Sequence, residues 1–388
     1  MARSEPLPVL AIQHTANTGG APRSFAALMR NLPHCGIQPF AVVLDDGPLI
    51  GWLQADGVPH IRLPQPRFRQ MGGVVALLLR MRRLMQRHGI EVVFSNMTKA
   101  HVYGGAAALM AGRPAVWWQR SVPAAKALER LAAFVPAAAV VASSDFAVAA
   151  QRALRPGQHL RKVYPGVDVE AIARRAGSGA PVRGRQQWQD KVVVGIVGRL
   201  EHWKGQDVFL RAASQIAPAF PDARFLVVGG TTHGFEGSYP DQVRALAATL
   251  GIADRVHFTG QLEDVFGWLD AMDVVVHASH SEAFGRVVVE AMALGKAVVA
   301  TNLGGPSEIV EDGRSGLLVP PKDPAAMATA LAALLECPDR RAALGERARE
   351  RAFVFTERRS AQSLAAVLRE VRRTPAGTPA DAQLRSSS

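Results

Sequence analysis

Residues 273–301, DVVVHASHSEAFGRVVVEAMALGKAVVAT, decide the fold. Two uniformly apolar runs, DVVVHAS and KAVVAT, flank a helical stretch, RVVVEAMALG, whose apolar face carries Val287, Val288, Val289 and Met292. Strands without polar alternation, joined through a helix, belong to a parallel sheet covered on both faces. Reading outward, the same grammar recurs in VLAIQ from 9, FAVVL from 40, EVVFS from 91, AVWW from 115, AVVAS from 139, KVVVGIVG from 191, ARFLVVGG from 223 and RVHFTG from 255. The runs form two series, separated by the polar, Gly- and Arg-rich RRAGSGAPVRGRQQ at 174–187. The expectation is an α/β chain of two Rossmann-like doubly wound domains facing across a cleft, with ligands at the carboxyl ends of the strands. Its boundaries are 1–173 for the first domain, 174–187 for a linker and 188–352 for the second domain. A last helix over 353–373 crosses back to the first domain, and a disordered tail covers 374–388, where Pro, Gly, Ala and Ser accumulate.

Composition agrees with a globular protein of this class: 388 residues, 48% hydrophobic but only 6% aromatic. The longest apolar stretch, LAAFVPAAAVVA at 131–142, is too short to cross a bilayer and contains Pro136. The charged, proline-broken start does not read as a secretion signal, so a cytoplasmic location is expected. Cys35 and Cys337 are too few for a disulfide framework or a thiolate zinc site. The net charge of +12 is lopsided: residues 1–190 hold 23 Lys and Arg against 10 Asp and Glu, whereas 191–388 hold 22 against 23. Such a field attracts anionic partners, although compositional bias toward arginine reads equally from the count. No motif or aromatic platform for nucleic acid accompanies it. The helical pattern at 71–89 sets Val74, Leu77, Leu78, Met81, Leu84 and Met85 on one face and Arg80, Arg83 and Arg87 on another. An ordinary Rossmann helix and a basic membrane-surface helix share that pattern.

Several loops at strand ends carry chemistry. Gly19 and Gly20 follow the first strand, where glycines admit a ligand to the backbone and a helix start favours an anion; a tight ligand-free turn is the alternative. Arg199 and Lys204 lie after KVVVGIVG, spaced to clamp a diphosphate, although two solvated charges fit the same spacing. Glu282 lies in the loop before the helix RVVVEAMALG, and Glu290 on that helix. A loop carboxylate there can accept hydrogen bonds from sugar hydroxyls, and a helix carboxylate can hold a ribose diol. A dipole-stabilised Glu282 and a salt-bridged Glu290 are the bland alternative.

TGGAPRSFAALMRNL, GIVGRLEHWKGQDVFLRA, VHFTGQLEDV and above all SHSEAFGRVVVEAMALGKAVVATNLGGPSEIVEDGRSGLLVPPKDPAAMATAL together resemble the family 4 glycosyltransferases, retaining enzymes of GT-B fold. The resemblance spans nearly the whole chain up to the tail and is strongest over 191–335. It implies that the first domain takes the acceptor and the second a nucleoside diphosphate sugar, most simply UDP-linked. Arg199 and Lys204 would hold the donor diphosphate, Glu282 would lie near the transferred sugar, and Glu290 would bind the ribose. Phe284 and Gly285 would face sugar and phosphates through their backbone, Gly260 to Leu262 would line the base pocket, and Gly20 would approach the diphosphate from the first domain. Members commonly have a histidine after a buried strand of the first domain; here AVWWQRS offers Gln119. Gln119, Gly19, Asn96 and His101 are therefore the acceptor- or sugar-side candidates, with His14 as another substitute. No cofactor or metal is expected, because the basic pair replaces a divalent ion. The implied acceptor is a glycan or lipid-linked molecule of cell-surface polysaccharide or glycolipid synthesis, with peripheral association at the cytoplasmic face of the membrane. A GT-B epimerase, a phosphorylase and a non-catalytic nucleotide-sugar sensor are the other readings.

Overall fold

The structure, a computed structural model, describes residues 5–231 and 237–373. They form two compact units. The first holds the described residues up to Gly166 together with Glu357–Arg373, and the second is Val167–Thr356. The tail expected at 374–388 lies outside the described residues.

In the first unit, strands β1 (Leu7–Gln13), β2 (Ile37–Val43), β3 (His60–Arg62), β4 (Val92–Asn96), β5 (Ala115–Gln119), β6 (Ala139–Ala142) and β7 (Leu160–Lys162) make a seven-stranded sheet ordered β3-β2-β1-β4-β5-β6-β7. All its pairings are parallel. Every residue of β4 and β5 is buried, as the absence of polar alternation requires. One face packs Phe25, Trp118, Leu364 and Leu368, and the other packs Leu10, Leu77, Met81 and Tyr103.

In the second unit, β8 (Val192–Val197), β9 (Ala223–Val228), β10 (Val256–Gly260), β11 (Val274–His277), β12 (Ala297–Thr301) and β13 (Leu317–Val319) form a parallel six-stranded sheet ordered β10-β9-β8-β11-β12-β13. Its core gathers Phe209, Phe225, Val274, Val276, Met327 and Leu331. The ten runs read from the sequence are all strands. β3, β7 and β13 were not among them, being three-residue edge strands too short to leave an apolar run.

Two boundaries differ from the expected ones. Residues 174–187 are part of the second unit and carry a helix, Ala180–Gln186. The Gly179 N–H donates to Asp270 at 2.8 Å, and a β-carbon at Gly179 would sit 2.4 Å from the Ala271 nitrogen, so that glycine serves packing and not a flexible connection. Residues Phe353–Phe355 form a 3₁₀ turn in the second unit, and the helix Glu357–Arg373 completes the first by burying Leu364, Leu368 and Val371. Arg30 pairs with Glu357 at 2.6 Å to hold its start.

Strand order reverses direction between β1 and β4 in one unit and between β8 and β11 in the other. Loops leaving such neighbouring strands diverge to opposite faces and open a crevice at the carboxyl edge.

Candidate active site

In the second unit the loops after β8 and β11 bring Lys204 and Glu282 together. Lys204 Nζ donates to Glu282 Oε2 at 2.6 Å, with both side chains mostly buried. Gly205 makes the approach feasible: its φ of +73° lies in the left-handed region, and a β-carbon there would meet the Ala278 carbonyl oxygen at 2.3 Å. His277, at the end of β11 and 4% exposed, places Nε2 3.6 Å from Glu282 Oε2 and 3.3 Å from Ser279 Oγ. Burial alone would raise the Glu282 pKa, but the Lys204 charge and His277 more than offset it and hold the carboxyl well below the usual carboxylate range. Glu282 is therefore ionised throughout the neutral range.

Arg199 sits on the same loop but is half exposed and pairs with Glu201 at 2.9 Å. The two cations are thus each held by a carboxylate, Arg199 at the rim and Lys204 inside. Lys204 Nζ also lies 4.1 Å from the Trp203 ring centroid, which narrows its freedom further.

Glu290 lies on the helix Arg286–Ala293, between buried Val289 and Ala291, and meets Arg286 at 3.4 Å. The cost of placing a carboxylate on this helix is reduced by that ion pair and by partial exposure. Phe284 is buried, and Gly285 takes a φ of +97° at the helix start. Gly260 ends β10, two strands from β8 with β9 between them, and Leu262 follows in the loop. Gly198 N–H donates to the Val228 carbonyl at 2.9 Å and Leu200 N–H to the Gly230 carbonyl at 3.0 Å, while a β-carbon at Gly230 would touch the Gln261 nitrogen at 2.9 Å.

Four supporting residues were not singled out in the sequence. His277 lies beside Glu282 and Ser279 beside His277, and Thr301 Oγ1 donates to the Ser279 carbonyl at 2.7 Å. Gly305 N–H donates to the Glu282 carbonyl at 3.0 Å, and a β-carbon at Gly305 would lie 2.2 Å from the Phe284 carbonyl oxygen. The adjacent glycines in NLGGPSE were the available signal. Gly305→Ala is expected to push the 282–284 loop away and lower stability by about 2–3 kcal/mol, read as a drop in Tm, with weaker donor binding by calorimetry. An unchanged melting curve and donor affinity would remove Gly305 from the loop's support.

In the first unit, Gly19 and Gly20 start the helix Gly20–Asn31 in an exposed turn. Neither has positive φ, so the backbone conformation does not require glycine there. Asn96, fully buried at the end of β4, donates to Gln13 Oε1 at 2.5 Å and accepts from Arg120 Nε at 2.6 Å. Met97 follows with φ +80°, an uncommon conformation for a bulky residue that turns the chain sharply into the next helix. Gln119 accepts from Thr98 Oγ1 at 3.0 Å, while its buried Nε2 has no partner. His14 is depressed to about 4, first by burial and then by Lys99, with Asp45 opposing. Gln13, Asn96 and Gln119 thus end adjacent strands around the reversal point.

His101 is a correction. It is fully buried, its ring stacked on Trp117 at 4.9 Å, and its Nε2 lies 3.3 Å from the Val135 carbonyl. Burial lowers its pKa to about 4 despite that hydrogen bond. It is a neutral packing residue with no surface to offer a sugar.

Both halves of the chain resemble known proteins. Residues 182–351 match glycosyl transferases group 1, and residues 18–171 match glycosyltransferase family 4. D-inositol 3-phosphate glycosyltransferase 2 of Catenulispora acidiphila is 39% identical over 211 residues, covering 52% of this chain and 48% of that protein. The D-inositol 3-phosphate glycosyltransferase of Corynebacterium urealyticum is 36% identical over 230 residues, 58% of this chain and 52% of its own. The matches thus span about half the length of these curated relatives. The crystal structure of Anabaena Alr3699/HepE in complex with UDP-glucose superposes with a TM-score of 0.81 at 25% identity, covering 94% of this chain and all of that one. With parallel-sheet units of seven and six strands and both signatures in chain order, the chain belongs to the group 1, family 4 glycosyltransferases of GT-B fold.

Proposed function

We propose that the protein transfers a hexosyl group from a nucleoside diphosphate sugar, with UDP as the nucleotide, to a glycan or lipid-linked acceptor of cell-surface polysaccharide or glycolipid synthesis. The observation that carries this reading is the buried Lys204–Glu282 pair at the reversal between β8 and β11. The UDP-glucose bound to the Anabaena relative supports the donor. Lys204 and Arg199 exchange their carboxylate partners for the donor diphosphate and neutralise the charge that grows on the leaving group, without a divalent ion. In the transfer the anomeric C–O bond to phosphate breaks and a bond to the acceptor oxygen forms on the same face. The acceptor's proton passes to the departing diphosphate. Glu282, ionised and released as Lys204 turns to the diphosphate, orients the sugar instead of attacking it. Glu290 binds the ribose; in the first unit Gln119 Nε2, buried and without a hydrogen-bond partner, is the candidate donor to an acceptor hydroxyl.

A phosphorylated polyol acceptor is the second reading. It is favoured by the names of the curated relatives and by Lys99, whose charge reaches His14 near the carboxyl edge of the first sheet.

The test is diphosphate release from UDP-, GDP- and ADP-sugars in EDTA, alone, with membrane glycolipid and with inositol 3-phosphate. Release from one UDP-sugar, rising with glycolipid, is the expected result. Stimulation by inositol 3-phosphate alone selects the second reading. Donor binding with no release in any arm would replace transfer by a sensing role.

A further inference from the structure

The basic excess of the first half is concentrated. Between Asp56 and Glu91 the chain has seven arginines and no acidic residue. The helix Met71–Arg87 buries Leu77, Met81 and Met85. Its opposite face presents Arg80, Arg82, Arg83 and Arg87 to solvent. At its N-terminal end Phe68, Met71 and Val75 are 37%, 66% and 48% exposed, flanked by Arg67 and Arg69. Arg62 has Asp46 at 3.3 Å. Among the described residues the other six arginines have no carboxylate partner.

Solubility alone does not explain this face. A solvated helix mixes both charge signs and keeps large apolar side chains few. Here three exposed apolar residues cluster beside unpaired guanidinium groups. Two weak signals of this kind, an apolar insertion and a polybasic patch, together give stable peripheral binding where either alone is marginal. Guanidinium also offers a planar fork to phosphate oxygens. Nucleic acid fits less well, because the exposed apolar residues are mostly aliphatic and the Phe68 ring is stacked on Tyr103 at 5.1 Å.

We propose that the helix Met71–Arg87 and the preceding Arg67–Gln70 turn dock the first unit on a bilayer rich in anionic phospholipid. Phe68, Met71 and Val75 enter the headgroup layer, and the arginines pair with lipid phosphates. The same turn leads to the carboxyl edge of the sheet: Tyr103 OH donates to the Pro66 carbonyl at 2.7 Å, and Gln65 Nε2 donates to the His14 carbonyl at 3.0 Å. A lipid-linked acceptor held in the bilayer would therefore present its head next to His14 and Gln119. This last step rests on the proposed transfer reaction; the docking does not.

The experiment is co-sedimentation of the full chain with phosphatidylcholine vesicles, with and without phosphatidylglycerol, in the absence of donor. The wild type is expected to pellet only with phosphatidylglycerol. Met71→Asp with Val75→Asp, and separately Arg82→Glu with Arg83→Glu, are each expected to weaken binding by about tenfold or more. These surface changes should leave Tm and donor-only diphosphate release unaltered. Failure of the wild type to pellet, or wild-type behaviour of both variants, overturns the proposal. Binding of single-stranded RNA that the arginine variant abolishes, without vesicle binding, would reassign the face to nucleic acid. Because the readout uses no sugar, it stands or falls apart from the transferase reading.

Discussion

Lys204→Ala, alone or with Arg199→Ala, is expected to lower diphosphate release at saturating donor by about two to three orders of magnitude, most of it from Lys204. Removing one preorganised group that meets developing charge has effects of that size. Lys204 is the buried member of the pair, whereas Arg199 is half exposed and screened by water. The variant also leaves Glu282 without its cation, which costs about 3 kcal/mol, the lower end for a broken buried pair because His277 stays nearby. Acid unfolding provides a second readout. The depressed carboxyl contributes stability that is complete above its unfolded value of about 4.3 and is lost as pH falls through its lower folded value. In Lys204→Ala that contribution shrinks, and the stability profile flattens over the same acid range. Turnover near wild type in both variants would sink the assignment.

Glu282→Gln is expected to reduce turnover about 100-fold while leaving the donor KM within a few-fold, the signature of an interaction made mainly in the transition state. Glutamine keeps the volume and a hydrogen-bond acceptor but not the charge, so it tests orientation of the sugar against electrostatic support. Glu290→Ala should behave oppositely, raising the donor KM about tenfold with turnover preserved, because it removes binding that ground and transition states share. An equal fall in turnover for both variants would show that the two carboxylates do not divide the work this way. Glu282→Gln also strips Lys204 of its counter-charge, so its Tm should fall at neutral pH.

Much of this site was legible because parallel strands buried on both faces write themselves as unbroken Val and Ile runs, and loops at their carboxyl ends then follow by position. Lys204 and Glu282 are 78 residues apart, and only the strand order that sets β8 beside β11 explains their contact. What stayed hidden depends on packing. His101 reads like a ligand in one dimension and is a stacked core residue in three. His277 looks like part of a strand, and its role follows from which face of β11 it ends on. Gly305 is marked by its neighbour glycine, but not by any partner that sequence order reveals. Residues 174–187 look like a linker because Gly and Arg are common in linkers, whereas here Gly179 permits close packing and Arg183 pairs with Asp273.

The helix Glu357–Arg373 has a consequence for biosynthesis. Its partners Phe25 and Trp118 leave the ribosome 332 and 239 residues before its first residue does, whereas the second unit is one unbroken segment. Domains fold as they emerge, and long-range closure is slow. The second unit should therefore reach its native state first, while the earlier-made sheet waits with one apolar face uncovered. During that interval the nascent chain is most exposed to chaperones and proteases, and a nonsense mutation between Val163 and Glu357, after the last strand of that sheet, would leave it there permanently.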